Sequence, residues 1–188
     1  MDALLPSLLA AFLAEWGDKT QLLVVALAAR YGKPGPILAG IFVAAIVNAG
    51  LAAFGGTLLH GLITLRAISL MLALALLFAG IGGFFRNKMP DMGADWRTGP
   101  FLTAAGCFFL LEFGDKTQFL TATLAGQFNS LALAASGAAI GVLAANVPAA
   151  LLGERLERAV PVRGIRFGAA ILFLIIGLIV AVNALRLV

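Results

Sequence analysis

Two short stretches hold most of the residues that could do chemistry. They are Glu15-Trp16-Gly17-Asp18-Lys19-Thr20 and Glu112-Phe113-Gly114-Asp115-Lys116-Thr117, each extended by a matched glutamine, Gln21 and Gln118. Both lie inside apolar runs: residues 3–14 and 21–29 around the first carry no charge, nor do residues 98–111 and 117–153 around the second. An ionisable side chain near a bilayer centre costs at least about 2.5–3.5 kcal/mol, so two matched clusters of three need a compensating purpose, by default an ion pathway. Read as continuous helix, Glu15, Asp18 and Lys19 stand at i, i+3 and i+4 on one face, and Glu112, Asp115 and Lys116 repeat that face. Two such faces make one pocket. Its four carboxylates and two ammonium groups sum to −2, which one divalent cation would neutralise. The carboxylates of Glu15, Asp18, Glu112 and Asp115 are hard oxygen donors that suit Mn²⁺ or Ca²⁺, with support from Thr20, Gln21, Asn48, Thr117, Gln118 and Asn146. Lys19 and Lys116 balance charge. The motifs offer no thiolate, thioether or imidazole, which argues against zinc and copper(I).

A structural alternative pairs each carboxylate with its neighbouring lysine to fix helix positions, yet two acids per base leave charge that packing does not need. For Asn48 and Asn146, ion ligation and interhelical hydrogen bonding stay equally open. The Gly137–Gly141 and Gly164–Gly168 spacings fit close packing within a bundle as well as dimerisation.

The elements that must position these residues are membrane spans. A chain of 188 residues with 62% hydrophobic and 12% charged residues and a mean hydropathy of +1.05 is polytopic, not a soluble domain. The net charge of +4 reflects Lys and Arg in short loops between apolar runs, not a nucleic-acid patch. Cys107 is the one cysteine and lies in an apolar run as a small hydrophobe would. Residues 1–14 share the length and apolarity of a secretory signal, but they lack a basic leader and the apolar stretch continues through the motif to Ala29.

Spans are expected at residues 4–29, 37–59, 67–85, 100–125, 131–152 and 167–185, with Gly17 a candidate break in the first. Prolines and glycines of residues 30–36 form a turn in which Tyr31 can sit at the interface, and His60 at a span end reads as a solvated interfacial residue. Residues 86–99, with Trp96 as a surface anchor, form a linker, and residues 153–166 form a basic connector that Pro161 keeps from being one helix.

The motif copies are 97 residues apart, Tyr31 aligns with Phe128 at the same offset, and Asn48 aligns with Asn146 after one inserted residue. Each half therefore has three spans, and an odd number reverses the second copy across the membrane. The expected fold is an all-α membrane protein of six transmembrane helices arranged as two inverted-topology three-helix repeats. Residues 1–85 form the first repeat, 86–99 a cytoplasmic linker and 100–188 the second repeat. Outside the motifs, nine Lys and Arg fall in the first, third and fifth loops and two, Arg66 and Arg186, on the other side. That bias puts both termini on the non-cytoplasmic face.

Two copies of Glu-x-Gly-Asp-Lys-Thr, one opening each three-span half, resemble the GDT1 family of small cation transporters over nearly the whole chain. The resemblance implies Mn²⁺ and Ca²⁺ transport and assigns the family role to Glu15, Gly17, Asp18, Lys19 and Thr20, and to Glu112, Gly114, Asp115, Lys116 and Thr117. Sparse serine, a lone histidine at a span end and the lack of GxSxG or HExxH argue against an enzyme, so neither catalytic residues nor a cofactor is expected. The expected function is a secondary transporter of divalent cations, chiefly Mn²⁺, exporting from the cytoplasm. An empty site of four carboxylates in a low-dielectric setting should take up protons that metal binding expels, so one to two protons are expected to exchange per ion. A cation channel, or a Ca²⁺/proton antiporter with Mn²⁺ secondary, is the alternative. The partners are then the lipid bilayer, the metal ion and protons. A chain that enters its first span at once reads as a multi-pass protein of a bacterial inner membrane.

Overall fold

In the computed structural model, residues 2–85, 87, 88, 90, 96 and 98–186 are described, and among them there is helix but no strand. The helices are α1 (Leu4–Glu15), α2 (Lys19–Tyr31), α3 (Pro34–Leu62), α4 (Leu65–Gly83), α5 (Pro100–Glu112), α6 (Lys116–Phe128), α7 (Leu131–Leu152), α8 (Leu156–Ala159) and α9 (Val162–Leu185). Their ends follow local chemistry. Pro34 and Pro100 open α3 and α5, where a missing amide hydrogen costs nothing. Gly32 closes α2 in the left-handed conformation, and Thr64 caps α4 by accepting from the Ala67 amide. Pro161 separates α8 from α9, as expected, although the connector is more helical than expected and α9 starts at Val162.

Four helical stretches are long and apolar enough to cross a membrane: Pro34–Leu62, Leu65–Gly83, Leu131–Ala159 and Val162–Leu185. The first and fourth expected spans are not continuous helices. Each is two short ones, α1 then α2 and α5 then α6, of 12 or 13 residues. At about 1.5 Å per residue such a piece covers only about 20 Å, so two are needed in series for a hydrocarbon core of about 30 Å.

The distribution of polarity is that of a membrane protein. Outward-facing side chains include Phe42, Val43, Ile46, Val47, Leu51, Phe54 and Leu58 along α3, and Ile171, Ile175, Leu178 and Ile179 along α9. The interior instead holds Glu15, Asp18, Thr20, Gln21, Asn48, Glu112, Thr117 and Asn146, each under a tenth exposed. Water would disfavour such an exterior, and lipid favours it.

The two halves interlock. α1 packs against α7, α5 and α6 against α3, and α4 against α9. Small residues allow the closest approaches: a Cβ on Gly137 or Gly141 would lie 2.3 Å from the carbonyl oxygens of Leu4 or Leu8 respectively, so this pair packs α7 on α1. Gly168 has open space instead.

One interfacial expectation changes. The His60 ring is half-buried and its Nδ1 lies 2.7 Å from the Gly126 carbonyl oxygen, so it donates a hydrogen bond tying α3 to α6. Tyr31 is anchored by its hydroxyl to the Thr98 carbonyl and Thr103 Oγ1, each at 3.0 Å. Trp96 is exposed, with its ring over Gly106 and its carbonyl accepting from Arg30. Cys107 is fully buried, as a small hydrophobe would be. Asp91, Asp95 and most of the linker lie outside the described residues.

Candidate metal centre

Both motifs build the same helix break. α1 ends at Glu15 and α5 at Glu112, after which Trp16 and Phe113 turn extended, with ψ of 120° in each. Gly17 and Gly114 follow at φ +69° and +76°, a conformation in which a side chain would be strained. Asp18 and Asp115 then adopt the extended backbone of an N-cap and start α2 and α6. The Asp18 and Asp115 amides donate back to the Glu15 and Glu112 carbonyls at 3.1 and 3.0 Å. Gln21 and Gln118 close each break from below, their Oε1 atoms accepting from the Gly17 and Gly114 amides at 2.9 and 2.8 Å.

The break overturns the single-face reading. Glu15 lies at the end of one helix and Asp18 and Lys19 at the beginning of the next, so i, i+3 and i+4 spacing no longer places them together. A broken helix brings a carboxyl end and an amino end to the same spot, and with them unpaired carbonyl oxygens and a positive dipole end suited to holding ions.

The side chains instead meet across the two halves. Lys19 Nζ lies 3.0 Å from Asp115 Oδ1, and Lys116 pairs with Asp18 while staying 3.5 Å from Asp115 Oδ2. Thr117 Oγ1 donates to Glu15 Oε1 at 3.1 Å, Asn146 Nδ2 to Glu15 Oε2 at 3.2 Å, and Gln21 Nε2 to the Ala145 carbonyl at 2.9 Å. Gln118 Nε2 donates to Asn48 Oδ1 at 2.9 Å, and Asn48 Nδ2 to the Phe109 carbonyl at 3.3 Å. Thr20 alone stays within its motif, donating to Glu15 Oε2 at 2.7 Å.

The structure draws the sequence-predicted side chains into separate groups: Glu15 with Thr20, Thr117 and Asn146, the two aspartates with Lys19 and Lys116, and Gln118 with Asn48, while Gln21 bonds backbone alone. Glu15 is fully buried and accepts three hydrogen bonds. Glu112 is also buried, and both its carboxylate oxygens, like Asn146 Oδ1, make no hydrogen bond among the described residues. Among the described residues no three His, Cys, Asp or Glu side chains converge on a point where they could hold an ion together. The two lysines stand between the carboxylates instead.

A cavity of about 280 Å³ opens beside the charged group, lined by Asp18, Lys19, Asp115 and Lys116 and walled by α4 and α9. Two polar lining residues, Asn87 and Arg166, lie outside the motifs. Asn87 donates from Nδ2 to Asp18 Oδ1 at 2.8 Å and to the Gly17 carbonyl at 3.2 Å, and Arg166 packs against Gly17. Neither belongs to a repeated pattern, and sequence reasoning counts Arg166 as one loop cation among nine.

Comparison with known proteins places the chain in a family. The family described as divalent cation/proton antiporter GDT1 matches in two stretches, residues 3–91 and 100–187, one in each half. The chain belongs to that family of membrane cation transporters, a class of carriers rather than enzymes. It is 36% identical over 182 residues to a protein of Vibrio cholerae serotype O1 named "Putative manganese exporter", covering 96% of this chain and 91% of the relative. No solved structure matches.

Proposed function

We propose that the chain is a secondary transporter that moves Mn²⁺, with Ca²⁺ as a weaker alternative, out of a bacterial cytoplasm in exchange for protons. One observation carries the reading: Glu112 buries a carboxylate with no hydrogen-bond partner among the described residues, at the end of the first helix of the second break. A buried acid without partners is costly, and an ion or a proton that occupies it in turn removes that cost.

The residues proposed to hold the ion are Glu15, Asp18, Glu112 and Asp115. Thr20, Gln21, Asn48, Thr117, Gln118 and Asn146 support them. Lys19 and Lys116 act as resident cations. Their ammonium groups neutralise Asp115 and Asp18 while metal is absent, and an arriving divalent ion displaces them. Oxygen donors without sulfur or imidazole favour Mn²⁺ and Ca²⁺, and the Vibrio relative's name favours Mn²⁺.

The fold proposed for such transport is six spans, α1–α2, α3, α4, α5–α6, α7 and α9, in two inverted repeats of residues 1–85 and 100–188. The doubled helix break, the two family-matched stretches and the interlocking of α1 with α7 and α5 with α3 support it. Broken helices meeting at the interface of inverted repeats are how other secondary transporters build a midplane site. The nine-to-two bias of Lys and Arg supports an inner-membrane orientation with both termini outside the cytoplasm.

The test is ⁵⁴Mn²⁺ uptake by the purified chain in proteoliposomes, with Ca²⁺ as competitor. Saturable uptake, inhibited by Ca²⁺ only at higher concentration and lost in Glu112→Gln, is expected. Uptake no faster than in protein-free vesicles would overturn the proposal.

A further inference from the structure

A second and larger cavity, about 1060 Å³, lies on the other side of the helix break at Gly17, between α2, the chain after α4, α8 and the first turn of α9. Gly17 and Gln21 line it on the motif side, and Glu154 and Glu157 stand exposed at its rim. Lys88 and Arg163 stand exposed beside them, so the rim carries both signs of charge. Only a thin layer separates this cavity from the smaller one holding Asp18 and Asp115. Arg166 and Asn87 line both cavities and are that layer.

Arg166 is held by packing. Its Cδ would lie 3.0 Å from a Cβ on Gly17, and its guanidinium lies over the Phe167 ring, 5.5 Å from the centroid. Its Nε is buried without a hydrogen-bond partner among the described residues, and the ion pairs of the site are made by Lys19 and Lys116. A guanidinium keeps its charge at any accessible pH, so it repels a metal ion for as long as it stays in place. A side chain bound by ring stacking and the space of a glycine can swing without breaking a carboxylate pair.

We propose that the larger cavity is the vestibule through which metal reaches the motif carboxylates, and that Arg166 is the positioning residue that bars it until the side chain moves aside. This rests on the transport reading above. Asn87, bonded to Gly17 and Asp18, braces the barrier from the motif side. Its loss should loosen the barrier less than loss of Arg166.

Thiol access tests the proposal in full-length protein in oriented proteoliposomes with Cys107→Ala. A cysteine at Ala79, buried on the wall of the smaller cavity, reports passage of a cationic methanethiosulfonate added from the vestibule side. A cysteine at Val160, on the larger cavity, reports arrival. With Arg166→Ala the Ala79→Cys rate should rise roughly tenfold or more as the charge barrier goes, with Arg166→Lys restoring the slow rate and Val160→Cys unchanged throughout. Should Arg166→Ala fail to insert, Arg166→Gln takes its place. An unchanged Ala79→Cys rate, a lysine variant as open as alanine, or equal labelling from the opposite side would overturn the proposal. Labelling does not depend on Mn²⁺ movement, so a chain that carried no Mn²⁺ would undo the transport reading and leave the barrier measurable.

Discussion

Lys19 of the first motif and Asp115 of the second face each other with Nζ 3.0 Å from Oδ1, and Lys116 returns the arrangement by pairing with Asp18. Each motif therefore supplies the countercharge for the other, and neither cluster is electrically complete without its partner. Removing Lys116 strands the buried Asp18, where an unpaired ion is far more costly than at a surface, whereas Lys19, Asp115 and Lys116 keep partial access to the cavity.

The four acids should be individually essential. Glu15→Gln, Asp18→Asn, Glu112→Gln and Asp115→Asn are each expected to lower Mn²⁺ transport in vesicles at least about a hundredfold, about 2.7 kcal/mol, while the protein stays inserted. Asp91→Asn or Asp95→Asn in the linker should be nearly silent. Wild-type rates in any two of the four, at saturating and sub-saturating metal, would dismiss a single shared site.

The lysines should behave as competitors of the metal. Lys19→Gln and Lys116→Gln are expected to tighten Mn²⁺ binding several-fold by calorimetry and yet slow transport, because an empty site without its resident cations reorients poorly. Weaker binding in both variants would show that the ammonium groups assist the metal instead.

The two break glycines should differ in cost. An alanine at φ near +70° is strained by about 1–2 kcal/mol in either motif. At Gly17 the new Cβ also meets Arg166 at 3.0 Å, whereas at Gly114 no described residue lies within 4 Å. Gly17→Ala should therefore lower the melting temperature in detergent further than Gly114→Ala. A larger loss at Gly114 would contradict the packing around the first break.

Topology provides an independent check. In a Cys107→Ala background, a cysteine at Met92 should react with an impermeant reagent only from the cytoplasmic side and one at Asn129 only from outside. Reaction of both from one face would remove the inverted repeat.

Part of this was legible from residue order because the motif is doubled: the apolar helices, the break at Gly17 and the burial of the polar motif residues follow from what sits inside apolar runs. The partners within that set were not legible. Spacing arguments assume a continuous helix, and the glycine that permits the break also cancels the i, i+4 relation between Glu15 and Lys19. The pairs that replace it, Lys19 with Asp115 and Gln118 with Asn48, join residues far apart in the chain and depend on how the halves interlock. Gln21 and Gln118 read as ligands because of their oxygens, yet those oxygens accept from the break glycines. Arg166 gave no signal, since a cation at a span end satisfies the loop-charge pattern whether or not it touches the site.

Proton exchange is the central claim, and vesicles with a trapped pH dye test it most directly. An imposed pH gradient should drive Mn²⁺ against its own gradient, and Mn²⁺ added without a pH gradient should move about one to two protons the other way, with apparent affinity rising as pH rises because metal and protons compete for the same oxygens. Glu112→Gln vesicles should show neither flux. Mn²⁺ uptake that ignored the pH gradient and followed Na⁺ or membrane potential alone would contradict the account.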